Sequence, residues 1–129
     1  MKFAVVDDDV VFRLSAKMLI NSLDGEHSII MLENGEEAIN FLYENRSQPD
    51  MLPEILLLDL SMPVLDGWEF LEQYLPLKDE LTKDITIYIV TSSIDQADIK
   101  RAESISTVKG YLIKPISRAQ LKELIVSLL

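Results

Sequence analysis

Residues 54–67, Glu54-Ile55-Leu56-Leu57-Leu58-Asp59-Leu60-Ser61-Met62-Pro63-Val64-Leu65-Asp66-Gly67, constrain this chain more than any other stretch. Four large apolar residues run without alternation into a carboxylate, and a proline followed by an Asp-Gly step closes the segment. A short unbroken apolar run bounded by turn residues reads as a strand buried on both faces of a parallel sheet. Asp59 then stands at the carboxyl end of that strand, the edge at which open α/β sheets bind their ligands.

The rest of the chain supplies partners for this strand. Lys2-Phe3-Ala4-Val5-Val6 reads as a first strand running directly into Asp7-Asp8-Asp9. A helix over about 10–22 carries an inward stripe at Phe12, Ala16, Leu19, Ile20 and Leu23, while Val11, Leu14 and Met18 fall on the opposite side. His27 to Leu32 is a second strand, with the single histidine read as a surface residue at its start. Asn34 and Glu37 have the spacing of a capping box ahead of a helix that faces inward at Ala38, Phe41 and Leu42.

After a connection over 44–53 comes the organising strand, and then a helix from Asp66 to about Leu75. Residues 76–84 are a second polar connection, Ile85 to Val90 a fourth strand ending in Thr91-Ser92-Ser93, and about 95–105 a helix. A short strand over 110–113 ends at Lys114-Pro115, a peptide bond that the sequence marks as a candidate cis linkage. Ser117 and Gln120 form another capping box, before a helix facing inward at Leu121, Leu124, Ile125 and Leu128. Five strand-helix pairs predict an α/β fold: a five-stranded doubly wound parallel sheet of order 2-1-3-4-5 with five helices, flavodoxin-like, as one domain over 1–129. The switch point of that order lies between strands 1 and 3, where Asp7, Asp8 and Asp59 converge.

Charge and composition narrow the function. With 12 Lys+Arg against 22 Asp+Glu, a net charge of −10 opposes binding to a phosphate backbone, so direct nucleic-acid contact is not expected. No apolar run is long enough to span a membrane, the first residues already read as a strand rather than a signal peptide, and there is no cysteine; a cytoplasmic protein fits.

Four strand ends carry polar groups toward one sheet edge: Asp7-Asp8, Asp59, Thr91 and Lys114. Carboxylates gathered there repel one another, and a hard divalent cation relieves the repulsion. Mg²⁺ takes oxygen ligands, keeps several waters, and uses one or two carboxylates together with phosphate oxygens. Asp8, Asp59 and the Ser61 backbone carbonyl are the expected direct ligands, with Asp7 acting partly through water. Asp59 is the expected nucleophile, giving an aspartyl-phosphate. Lys114 supplies charge to a phosphate oxygen, Thr91 a hydroxyl, and Ser92 or Ser93 a further contact.

Val5-Val6-Asp7-Asp8, Leu58-Asp59-x-x-Met62-Pro63-x-x-Asp66-Gly67, Val90-Thr91-Ser92 and Tyr111-x-x-Lys114-Pro115 together resemble the receiver domain of two-component response regulators, of the stand-alone chemotaxis-regulator type. The resemblance implies a signalling domain rather than a conventional enzyme. It implies a phosphohistidine on a histidine kinase or histidine phosphotransfer protein as donor, Asp59 as acceptor, Asp7 and Asp8 as metal acids, Lys114 as the phosphate-binding lysine, and Thr91 with Tyr111 as a switch pair. The message is expected to leave through an unknown protein target at the surface of the fourth helix, fifth strand and fifth helix, which could also support a homodimer. The sequence departs from the family pattern in the 44–53 and 76–84 connections and in Ser106-Thr107-Val108, where small residues are usual before the last strand.

Two other readings compete. A flavodoxin-like electron carrier needs a phosphate cradle of Gly, Ser or Thr after strand 1, and Asp7-Asp8-Asp9 repels phosphate instead. A degenerate receiver acting as a constitutive binding module predicts the loss of a site residue, and none is missing. Val11, Leu14 and Met18 either belong to a broad buried helix face or form a docking patch for the phosphodonor.

Overall fold

Strands and helices alternate along the computed structural model, which describes residues 1–128. In chain order they are β1 (Lys2–Val6), α1 (Val10–Asn21), β2 (Ser28–Leu32), α2 (Gly35–Glu44), β3 (Ile55–Leu58), α3 (Gly67–Lys78), β4 (Thr86–Thr91), α4 (Gln96–Glu103), β5 (Val108–Ile113) and α5 (Arg118–Leu128). All strand pairs are parallel and the order is β2-β1-β3-β4-β5, as the alternation predicts.

The absence of alternation in β3 has a direct structural counterpart. Leu56 and Leu58 enter a core layer with Ala4 and Val6 of β1, Ala38 and Leu42 of α2, and Phe70 and Leu71 of α3. Ile55 and Leu57 enter the other layer, with Phe3 and Val5, Phe12, Ala16 and Ile20 of α1, and Leu121 and Leu124 of α5. All four β3 side chains are buried. Their burial contributes roughly 6–12 kcal/mol before opposing entropy, which makes this strand the centre of both layers.

Several boundaries differ from the sequence reading. α3 passes Pro76 and ends at Lys78 rather than near Leu75, because Leu77 is buried in the core and its burial outweighs the missing donor. β5 begins at Val108, two residues early, since strand pairing with Ile87 recruits it. His27 is half-buried, with its ring edge against Phe3 at a centroid distance of 5.8 Å, so the surface reading fails. At Asn34 only half of the expected capping box forms: Asn34 Oδ1 accepts from the Glu37 amide at 2.9 Å, while the Glu37 carboxylate accepts from Glu33 instead. The reciprocal pairs are complete at Asp66–Glu69 and at Ser117–Gln120.

The two long connections are tied to each other. The Thr82 amide and hydroxyl donate to the Arg46 carbonyl at 2.9 and 3.0 Å, and Lys83 donates to the carbonyls of Pro49 and Leu52 while lying 3.2 Å from Glu54. This stitching lies where β3 and β4 begin, so the extra residues leave the edge carrying Asp59 untouched.

Candidate functional site

The site is built where the strands end. β1 delivers Asp7, 1% exposed, and the exposed Asp8. Asp9 caps α1 by accepting from the Val11 amide, and its own amide donates to Asp7 Oδ1 at 2.9 Å, which fixes the first carboxylate. One turn into α1, Arg13 donates to the Asp7 carbonyl at 2.6 Å. The Asp59 amide extends the sheet by donating to Val6, and Asp59 Oδ1 accepts from the Leu60 amide at 2.8 Å. Its second oxygen is left facing the cleft and Lys114.

Lys114 is positioned by its backbone, whose amide donates to the Thr91 carbonyl at 2.8 Å, and the following bond to Pro115 is cis, as the sequence marks. Its ammonium lies 2.7 Å from Asp7 Oδ2, 3.4 Å from Asp59 Oδ2 and 4.4 Å from the centre of the Phe12 ring. The Asp7 contact is close but poorly directed for a hydrogen bond, so buried Oδ2 has its charge balanced while lacking an aligned donor. Burial pushes the Asp7 carboxyl above the usual carboxylate range, against the opposing effects of Lys114 and the Asp9 amide. Burial pulls Lys114 down, but its contact with Asp7 and the charges of Asp59 and Asp7 outweigh this and hold it above the ordinary lysine value.

Oxygens of Asp7, Asp8 and Asp59 lie within 4.8 Å of one another, the one such group of acids among the described residues. An all-oxygen donor set with an underused buried oxygen fits a hard divalent cation. Beside it is a cavity of about 450 Å³ lined by Ser61, Asp66, Trp68, Thr91, Ser92 and Ser93, among others. A larger hollow of about 650 Å³ near Met1, His27 and Glu54 lies at the opposite end of the strands and contains none of the site acids.

The loop after Asp59 is tight. The Leu65 amide donates to the Pro63 carbonyl at 2.8 Å, closing a γ-turn around Val64, whose φ of 68° is strained for a β-branched residue. Gly67 then returns against β3, where its amide donates to Leu60 at 3.0 Å. A Cβ at Gly67 would meet the Asp59 carbonyl oxygen and come within 2.8 Å of Leu60 Cα. The Asp-Gly step is therefore required by close backbone approach, not by turn conformation.

Thr91 is 2% exposed. The Tyr111 phenol donates not to Thr91 but to the Ser93 carbonyl at 2.8 Å, and burial raises its pKa. Ser93 connects the two, with its amide 3.4 Å from Thr91 Oγ1 and its hydroxyl donating to Asp98 of α4 at 2.7 Å. The sequence reading names Asp7, Asp8, Asp59 and Lys114, which the fold brings together, and Ser61, Thr91 and Ser92, which line the neighbouring cavity. It misses Arg13, Asp98 and the second role of Phe12, which reads as core alone. A helix position one turn beyond Asp9 was the available signal for Arg13. The outer stripe of α1 is open, with Val11, Leu14 and Met18 exposed by 70%, 52% and 74%.

A comparison with family models matches residues 3–126 to the response regulator receiver domain. The chain belongs to this family. Among relatives, the receiver is 36% identical over 91 residues to the probable methanogenesis regulatory protein FilR2 of Methanothrix harundinacea, covering 70% of this chain and 57% of that one. It is 34% identical to the transcriptional regulatory protein YdfI of Bacillus subtilis, covering 90% of this chain and 49% of that one. The chain thus spans about half the length of these curated relatives. A response regulator receiver protein from Dyadobacter fermentans superposes with a TM-score of 0.82 at 30% identity, over 98% of this chain and 96% of that one. The receiver family is one of phosphorelay signalling in two-component systems, and a constitutive, degenerate variant finds no missing site residue to rest on.

Proposed function

We propose that residues 1–129 form a single receiver domain in which Asp59 accepts a phosphoryl group from a histidine kinase or histidine phosphotransfer protein. The observation that carries this reading is the Lys114 ammonium lying between Asp7 and Asp59 at the edge where three carboxylates meet. A carboxylate oxygen of Asp59 attacks phosphorus, the P–N bond to the donor imidazole breaks with its electron pair going to nitrogen, and an acyl phosphate forms. Mg²⁺ held by Asp7, Asp8, Asp59 and the Ser61 backbone carbonyl would supply neutralising charge to the phosphoryl oxygens.

Lys114 exchanges its contact with Asp59 for a phosphate oxygen, while the hydroxyls of Thr91 and Ser92 donate to others. Movement of Thr91 reaches Ser93, and through it both Tyr111 and Asp98, so β5 and α4 receive the signal together. The surface of α4, β5 and α5 is the proposed output face for a protein target or a second copy. The compartment proposed is the cytoplasm; no described helix is long and apolar enough to cross a membrane.

Trp68, the single tryptophan, lines the cavity beside Thr91 and reports on the site. Its fluorescence should change once on Mg²⁺ addition and again on addition of beryllofluoride. Asp59→Asn should lose the second change and all phosphate incorporation. A second step that survives in Asp59→Asn would refute the assignment.

The exposed α1 stripe is the proposed docking patch for the donor. Leu14→Ser should slow transfer from the kinase about tenfold, the size of one moderate interface contact. Labelling by a small phosphodonor should be unchanged. Equal loss in both assays would place Leu14 in folding rather than docking.

A further inference from the structure

The ammonium of Lys114 is poorly held by the two carboxylates beside it. Asp7 Oδ2 is close at 2.7 Å yet lacks an aligned donor, and the contact with Asp59 Oδ2 is long at 3.4 Å. On a third side the ammonium sits over the face of Phe12, 4.4 Å from the ring centre. That is inside the range of about 6 Å at which the negative face of an aromatic ring attracts a cation. The lysine side chain is 18% exposed, so water screens this attraction only in part.

Phe12 is held more firmly than the lysine it meets. Asp9 caps α1, and Phe12 turns inward within the first turn of that helix. It is buried in the core layer that contains Val5, Ala16 and Ile116. Burial alone asks for an apolar side chain of about that size; a ring face turned to an ammonium is a further feature.

The carboxylates have a second claimant. Asp7, Asp8 and Asp59 form the oxygen cluster suited to a divalent cation, and both carboxylate partners of Lys114 belong to it. A cation that takes those oxygens weakens their hold on Lys114 and repels its charge. The Phe12 face offers no metal-binding atom, so it is the contact that such a cation leaves in place. On the reading of Asp59 as phosphoryl acceptor, on which this rests, we propose that Phe12 is a positioning residue. Its ring keeps the Lys114 ammonium at the acceptor edge once a divalent cation occupies the carboxylates, ready for the incoming phosphoryl oxygens.

Ring fluorination tests this in the full chain. Replacing Phe12 with para-fluoro-, difluoro- and pentafluorophenylalanine keeps the ring nearly unchanged in shape while draining negative charge from its face. The Lys114 ε-methylene protons should resonate upfield under the Phe12 ring current in EDTA and should stay there at saturating Mg²⁺; Phe12→Leu should remove the displacement. Labelling by a small phosphodonor at saturating Mg²⁺ should fall stepwise along the fluorine series, by about fivefold in total. Mg²⁺ affinity, read from the first change in Trp68 fluorescence, should match wild type throughout the series, and the Tm should be no lower. An upfield displacement that vanishes on Mg²⁺ addition would mean that the ammonium leaves the ring. Equal labelling across the fluorine series, with loss only in Phe12→Leu, would mean that Phe12 serves packing alone. Either result overturns the proposal while leaving Asp59 as acceptor. Wild-type protein that takes no label with Mg²⁺ present would overturn the acceptor reading itself, and the role of Phe12 with it.

Discussion

Lys114→Met is expected to destabilise the metal-free domain by about 3 kcal/mol at pH 7, because it leaves Asp7, 1% exposed, without its counter-charge. In a domain of this size that lowers the Tm by roughly 10 °C. The pH dependence separates this cause from lost packing. Burial already holds the folded-state Asp7 above its ordinary value of 3.8. A raised carboxylate binds its proton more tightly when folded, so stability falls as pH rises from 3.8 through the folded value. Removing Lys114 removes an opposing influence and drives the folded value higher. The variant should therefore recover stability relative to wild type when acidified from pH 7 to 5 in EDTA. For Lys114 itself, raised above 10.5, the stabilising contribution is full below 10.5 and disappears as pH climbs through the folded value. Unfolding curves of both proteins across pH 5–8 check this; a constant gap between them would mean that Asp7 does not respond to Lys114. Phosphate incorporation should fall with the same substitution, since the group that meets the phosphoryl oxygen is gone.

Gly67→Ala should cost about 3 kcal/mol, although the same exchange at an unhindered helix position stabilises by roughly 0.5–1 kcal/mol. The sign reverses because the new methyl meets backbone, the Asp59 carbonyl and Leu60 Cα, which cannot rotate away as a side chain would. The collision lies on the acceptor residue, so phosphorylation should decline along with stability. Gly35 makes a similar approach from the other side of the loop, 2.6 Å from a would-be Cβ to the Leu65 carbonyl, and its amide donates to that same oxygen. Chemical denaturation and small-phosphodonor labelling of Gly67→Ala provide the measurement. Wild-type values in both would show that the β3–α3 loop yields without cost.

Local pattern carried much of this structure. The unalternated Ile55–Leu58 run required burial on two faces, and the regular return of strands and helices then required a parallel sheet with its polar ends on one edge. Asp7, Asp8, Asp59 and Lys114 could be grouped from sequence because each lies within two residues of the end of a strand whose direction was already implied. The end of α3 was misread because propensity at Pro76 is a local quantity, whereas the burial of Leu77 is decided by a core assembled from distant residues.

By itself, then, the order of apolar runs and the residues that terminate them determined the fold and the edge bearing the acids, since strand direction and side-chain alternation are properties of the backbone. Tertiary packing alone decided the contacts across elements. Arg13 on the Asp7 carbonyl, the Phe12 ring beneath Lys114, and Ser93 between Thr91, Tyr111 and Asp98 all depend on how separate helices and loops settle against the sheet. No periodicity encodes those distances, because they arise from the packing of side chains far apart in the chain.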